Sequence, residues 1–215
     1  AAMFDAKGQG RGKLHFFSPE SWQRIAQRFT LESELRDALE QGQFEVFYQP
    51  QVALPSGRIC GAEALLRWRH PQRGLVPPME FIPLAEELGL ILPIGEWVLD
   101  AVCAQIADWR ARFGWSPSVA VNVSALQLQQ HDFAQRVEAV LARHRIPAGL
   151  LELELTEHSL MQQHRRATDL LTVLKRQGVR LVLDDFGTGY SNLMTLSNMP
   201  FDMLKIDRSF VAGMD

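Results

Sequence analysis

Two periodicities divide the chain. Leu31, Leu35 and Leu39 recur at helical spacing until Gly42 interrupts them. Ser18-Pro19-Glu20 ahead of them is a helix start: a hydroxyl to cap the first amides, proline at the first helical position and an acid in the first turn. Beyond Gly42, short apolar runs alternate with longer runs of helical period. The pattern predicts strands over 45–54 and 58–68, joined by a turn at Pro55-Ser56-Gly57, then helices over 78–88 and 95–113. A strand over 118–124, a helix over 133–144, a strand over 151–157 and a helix over 166–177 follow. A strand over 180–185, a short helix over 192–199 and a strand over 202–207 complete the series.

Repeated β–α alternation after an opening hairpin calls for a parallel sheet covered by helices. A doubly wound open sheet would carry a glycine-rich phosphate loop after its first strand, and none is present there. A closed β/α barrel uses eight strands in about 250 residues, more than the six strands read here. The expected fold is therefore α/β: a TIM-like β/α barrel with one antiparallel strand near its start, incomplete at the C-terminus. No internal repeat and no low-complexity tract interrupts the series.

The strands share an unusual feature. Polar residues lie within apolar runs or close them: Glu63, Asn122, Glu152 and Glu154, Asp184-Asp185, and Lys205. One buried charge on a strand is commonly a structural ion pair. Here there are several on different strands, and in a parallel barrel the C-terminal strand ends converge on one face. Carboxylates gathered there repel each other, and a divalent cation relieves the repulsion. An all-oxygen set with one amide suits Mg2+ or Mn2+ and not zinc. Asp184 and Asp185 are neighbours at a strand end, where the backbone turns and both can face one site. Such a pair suits two metals about 3.5–4 Å apart, the arrangement for in-line phosphoester displacement; the alternative is a capped turn before a helix.

Composition narrows the picture. With 22 Lys+Arg against 25 Asp+Glu, the net charge is −3, which excludes a polybasic DNA or RNA binder. The first 30 residues carry +3 and the rest −6. Apolar residues make up 47%, enough for a full core. Cys60 and Cys103, the two cysteines, provide neither a disulfide framework nor a zinc module and read as buried apolar residues. The six histidines show no ligand spacing and read as surface or loop residues, and Trp68, Trp97 and Trp109 as core or interface. The most apolar run, 88–94, is too short to span a bilayer, and no basic-then-apolar leader opens the chain. The first residue is Ala1, as in a processed start or a piece of something longer.

Taken together these residues spell a known pattern. Glu63-Ala64-Leu65, extended to Arg67, resembles the signature of the EAL domain, the cyclic di-GMP phosphodiesterase family. The resemblance continues through Tyr48-Gln49-Pro50, Val121-Asn122-Val123-Ser124, Glu154-Leu155-Thr156-Glu157, the stretch from Asp184 to Ser191, and Leu204-Lys205-Ile206-Asp207. It covers residues 31–215 in order. The front end, Ala2 to Lys7 with Gly10-Arg11, resembles the close of a GGDEF (diguanylate cyclase) domain. The expected organisation is a GGDEF remnant over 1–17, a helical linker over 18–30 and an EAL domain over 31–215 that stops short of its end. Some 17 residues cannot carry cyclase activity.

The resemblance implies metal-dependent opening of cyclic di-GMP to linear pGpG, in bacterial signalling. Its alternative is a degenerate receptor that binds cyclic di-GMP without cutting it. By the same resemblance, Glu63, Asn122, Glu154 and Asp184 hold a first Mg2+ or Mn2+, and Asp185 with Asp184 serves a second. Lys205 contacts the attacking water. Glu157 holds the loop after Asp185. Gln49, Arg67 and the Leu65 backbone position the nucleotide. Asn192 stands where a serine is usual, and the family's general-base glutamate lies on strands past Asp215. Cyclic di-GMP is the expected partner, a homodimer through the EAL domain is compatible with the family, and the expected location is cytoplasmic, with any membrane anchor upstream.

Overall fold

The structure is a computed structural model that describes residues 19–161, 164–187, 199–210 and 212. The expected GGDEF remnant over 1–17 and nearly all of the short helix expected over 192–199 lie outside the described residues. The chain divides into two compact units, one up to Gly42 and one from Gln43 onward. In the first, helix α1 (Pro19–Glu40) begins on the expected proline and runs without a break across residues 30 and 31. It stops where Gly42 turns into the left-handed region at φ +64°.

The second unit is a seven-stranded sheet with helices. Its strands are β1 (Phe44–Ala53), β2 (Arg58–His70), β3 (Gly74–Val76), β4 (Ser118–Asn122), β5 (Leu151–Thr156), β6 (Arg180–Phe186) and β7 (Met203–Ile206). The spatial order is β1-β2-β4-β5-β6-β7, with β3 beside β2. β1 pairs antiparallel with β2, and every later step along the path is parallel. Helices α2 (Pro78–Glu87) and α3 (Ile91–Phe113) connect β3 to β4. Helices α4 (Ala125–Leu128) and α5 (Phe133–His144) lead to β5, and α6 (Glu157–Met161) and α7 (His164–Arg176) lead to β6. Among the described residues the sheet runs open from β1 to β7.

The period-2 alternation of a strand sorts its residues between two faces. Val119, Val121, Leu151, Leu153, Leu155, Leu181 and Leu183 are all at most 2% exposed and form one side of the core with Val102, Ile106, Val137, Leu171 and Leu174 of the helices. The alternate positions, Asn122, Glu152, Glu154, Arg180 and Asp184, occupy the other face. The polar residues that interrupt the apolar runs are therefore in register with the pleat.

Several elements differ from the sequence expectation. Helix α3 starts at Ile91, not at 95, because Gly95 is accommodated inside the helix. β3 was not expected; its three residues pair with Trp68–His70 across a turn. His70 is buried, and its Nδ1 accepts the N–H groups of Gln72 and Arg73 at 3.1 Å each, so it folds that turn from inside. Cys103 is buried, but Cys60 is exposed, because β4 begins to cover β2 only at Gly61. Glu157 opens a helix and does not end a strand.

Candidate functional site

The polar face carries one concentrated group. Lys205, on β7, donates from Nζ to Glu63 Oε2 of β2 and to Glu154 Oε2 of β5, each at 2.9 Å, with Asp184 Oδ1 of β6 at 3.5 Å. Asn122, at the end of β4, donates from Nδ2 to Glu63 Oε1 at 3.1 Å. Five strands thus each deliver one polar side chain to one place. Register explains the convergence: Asn122 lies opposite Glu154, and Thr156 opposite Asp184, so successive strands bring their C-terminal ends together.

The electrostatics follow from burial. The Glu154 side chain has no solvent exposure, and its Oε1 has no hydrogen-bond partner among the described residues. Burial pushes its carboxyl up to about 7; the Lys205 ammonium opposes this, and the charges of Glu63 and Asp184 add to it. Burial alone would lower the Lys205 ammonium, but its bonds to Glu154 and Glu63 more than offset that and hold it above the usual lysine range. Lys205 is therefore a cation at neutral pH. Among the described residues, no three His, Cys, Asp or Glu side chains are spaced to hold a metal ion as they stand. The cation at the centre of this acid group is the ammonium.

Asp185 takes a different place from Asp184. Its backbone is left-handed, at φ +55°, a conformation uncommon outside glycine that turns the chain out of the strand. Its side chain is exposed, and its N–H donates to Asp184 Oδ1 at 3.0 Å. Partial burial, then the charges of Asp184 and Asp207, raise its carboxyl above the ordinary range. Next, Gly187 adopts φ +100°, and its N–H reaches Glu157 Oε2 at 3.4 Å. Glu157 is 3% exposed, and its Oε1 has no partner among the described residues.

On the β2 side, Gln49 lies directly opposite Glu63 in the β1–β2 ladder, which puts the two side chains on the same face. The Arg67 guanidinium stands over the Phe47 ring, 5.6 Å from its centroid, and donates to the Leu66 carbonyl at 2.9 Å. Leu65 and Arg67 line a cavity of about 580 Å³ together with Asn122, Ser124, Gly95 and Gln127.

Of the site residues expected from the sequence, Glu63, Asn122, Glu154, Asp184 and Lys205 come together, Gln49 adjoins them by register, and Asp185 stands outward of Asp184. Leu65 and Arg67 share a cavity with Asn122, and Glu157 accepts from the Gly187 N–H just after β6. Two polar residues of the same unit were not singled out. Arg180, at the start of β6 and so away from the C-terminal strand ends, pairs with the buried Glu152 at 2.7 Å, so Glu152 is held by a structural ion pair. Gln127 completes a capping box with Ser124, and the spacing Ser124-x-x-Gln127 was its signal.

The EAL domain model matches residues 32–215. Over 211 residues the chain is 44% identical to the bifunctional diguanylate cyclase/cyclic di-GMP phosphodiesterase MucR of Pseudomonas aeruginosa, covering 98% of this chain and 31% of that protein. Over 210 residues it is 41% identical to the cyclic di-GMP phosphodiesterase PdeR of Escherichia coli, covering 98% of this chain and 32% of that protein. The chain thus spans about a third of the length of these curated relatives. The solved structure of the PaMucR phosphodiesterase in complex with c-di-GMP matches with a TM-score of 0.82 at 45% identity, over 85% of this chain and 74% of that one. The fold is accordingly that of the TIM-like β/α barrels to which this neighbour belongs. A polar group gathered from five strand ends, a family model matched from residue 32 onward and a solved relative of the same fold agree: the chain belongs to the EAL domain family.

Proposed function

We propose that this domain hydrolyses cyclic di-GMP to linear pGpG with the help of divalent cations. The observation that carries the proposal is the acid group on Lys205. Three carboxylates within 3.5 Å of one ammonium leave the site with excess negative charge, and a phosphodiester anion would be repelled from it. A bound cation reverses that field. The donors fit one: all are hard oxygens, Asn122 adds an amide, no His or Cys is among them, and the buried Glu154 Oε1 is available.

In this reading Glu63, Asn122, Glu154 and Asp184 hold a first Mg2+ or Mn2+, and Asp185 joins Asp184 at a second. Such cations, when bound, would neutralise the phosphodiester and lower the pKa of a water toward neutrality. The remaining roles belong to the chain's own groups. Lys205, a fixed ammonium, donates hydrogen bonds toward the attacking water. Arg67 presents a planar fork to a phosphate oxygen pair, its plane braced on Phe47. Gln49 and the Leu65 backbone orient the nucleotide, and Glu157 holds the backbone at Gly187, after Asp184 and Asp185. MucR and PdeR, whose names specify cyclic di-GMP phosphodiesterase activity, support the substrate assignment. The rival reading, a receptor that binds without cutting, has less support, because Glu63, Asn122, Glu154, Asp184 and Asp185, the residues proposed to hold the cations, are all present. Among the described residues no helix is long and apolar enough to cross a membrane, and we place the domain's action in the cytoplasm.

Incubating the full-length protein with cyclic di-GMP and Mg2+ or Mn2+ and separating the products by chromatography tests this. Appearance of pGpG, abolished by chelation, is the expected result. Tight binding with the cyclic form recovered intact would establish the receptor instead.

A further inference from the structure

Gly95 lies in the interior of α3, a helix of 23 residues, where glycine costs about 1 kcal/mol relative to alanine. Its backbone does not require glycine, since it is absent from the residues with positive φ. Its surroundings do. A Cβ at this position would lie 2.2 Å from Gln127 Nε2 and 2.7 Å from Gln127 Cδ. The glycine makes room for one side chain, that of Gln127, which is itself 5% exposed.

The amide seated there has a defined task. Gln127 Oε1 accepts from the Ser124 N–H at 3.0 Å and from Ser124 Oγ at 3.1 Å, and Ser124 Oγ accepts from the Gln127 N–H at 3.3 Å. Ser124 is thus clasped from both directions. Helix α4, which follows, is only four residues long and has little internal bonding to fix its own start. One residue before Ser124, the Val123 N–H donates to the Glu154 carbonyl at 2.9 Å; one further back stands Asn122, bonded to Glu63. The segment from Asn122 to Ser124 is held on one side by β5 and on the other by Gln127.

We propose that Gln127, seated on Gly95, is a positioning residue that sets the Asn122 amide for cation binding. This rests on the reading of Asn122 as a ligand given above. Groups that orient a ligand without touching the metal typically change metal affinity by 10–100-fold when removed, and that is the effect expected here.

The test uses the full-length protein and Mn2+ as the probe, with two readouts: the rise in Tm on adding Mn2+, and the Mn2+ dependence of cyclic di-GMP hydrolysis. Gly95→Ala alone should lower Tm by clashing with Gln127. Gly95→Ala combined with Gln127→Ala removes the clash and should restore Tm, yet still require 10–100-fold more Mn2+ for half-saturation in both readouts. Ser124→Ala, which weakens the same clasp without altering the packing on Gly95, should shift the Mn2+ requirement in the same direction. If the double variant regains both Tm and the wild-type Mn2+ requirement, Gln127 only fills space and the inference is overturned. Wild-type Mn2+ dependence in Ser124→Ala overturns it equally. A wild-type protein whose Tm and hydrolysis ignore Mn2+ overturns the cation reading itself, a result distinguishable because it appears before any substitution.

Discussion

Replacing Asp184 by asparagine removes one of the three carboxylates around the Lys205 ammonium and leaves the shape of the side chain nearly unchanged. Asp184 Oδ1 is 3.5 Å from Nζ. At an effective dielectric of about 20, the attraction lost is about 5 kcal/mol. Glu63 and Glu154 touch the same nitrogen at 2.9 Å, so their oxygens lie within about 6 Å of Asp184, where a full charge repels by about 3 kcal/mol. Glu154, with its carboxyl near 7, carries about half its charge at pH 7. Repulsion relieved therefore nearly matches attraction lost. The net change in stability should be within about 1 kcal/mol, equivalent to about 2–4 °C in Tm for a domain of this size. Hydrolysis, by contrast, should fall at least about 100-fold, the scale for losing a preorganised charge at a reacting centre. Circular dichroism melts and chromatographic assay of pGpG measure the two effects side by side. Wild-type turnover with Mg2+ or Mn2+ would refute the ligand assignment, and a Tm loss beyond about 10 °C would show that Asp184 is chiefly structural.

Other outcomes follow from the same geometry. Arg67→Ala should weaken cyclic di-GMP binding by calorimetry, and Arg67→Lys should recover only part, because a lysine lacks the two-pronged donor set; unchanged affinity in the alanine variant would leave Arg67 as a brace for Phe47. Gly187→Ala forces a side chain onto a backbone at φ +100° and to within 2.7 Å of the Phe210 ring, so it should cost about 1–3 kcal/mol, seen as a lowered Tm. Asp202 is a case for pH. Burial raises its carboxyl, but the Lys175 ammonium and the Leu181 N–H, at 2.8 Å, outweigh it and leave the group below the usual range. Its contribution is therefore present above about pH 4, the ordinary carboxyl value, and lost as pH falls through the lowered folded-state value. Asp202→Asn should cost about 1 kcal/mol at neutral pH and flatten the acid limb below about pH 4, as followed by denaturant melts.

The fold was legible wherever a strand shows one apolar face. Val119 and Val121 beside Asn122, or Leu151, Leu153 and Leu155 beside Glu152 and Glu154, announce both the strand and the face its polar residues take. The convergence of Glu63, Asn122, Glu154, Asp184 and Lys205 was legible for the same reason, since parallel strands align their ends. Three features were not. The start of α3 was hidden because Gly95 reads locally as a breaker, and only a long-range neighbour, Gln127, explains it. Cys60 looked like a core residue because its apolar neighbours do not reveal how far β4 extends along β2. The opposed settings of Asp184 and Asp185 depend on one left-handed backbone angle, which an aspartate adopts only in a particular turn. Which of these acids bond the Lys205 ammonium directly was not legible either, because the partners of a charge are chosen by distance across strands far apart in the chain.

The most direct test of the account is the position of manganese in crystals of the protein grown with Mn2+, read from anomalous scattering at the manganese edge. The account predicts a peak bonded to oxygens of Glu63, Asn122, Glu154 and Asp184, with Lys205 displaced from the centre of the carboxylates. Crystals that contain Mn2+ in the mother liquor but show no peak there, with the Lys205 ammonium still bonded to Glu63 and Glu154, would contradict it.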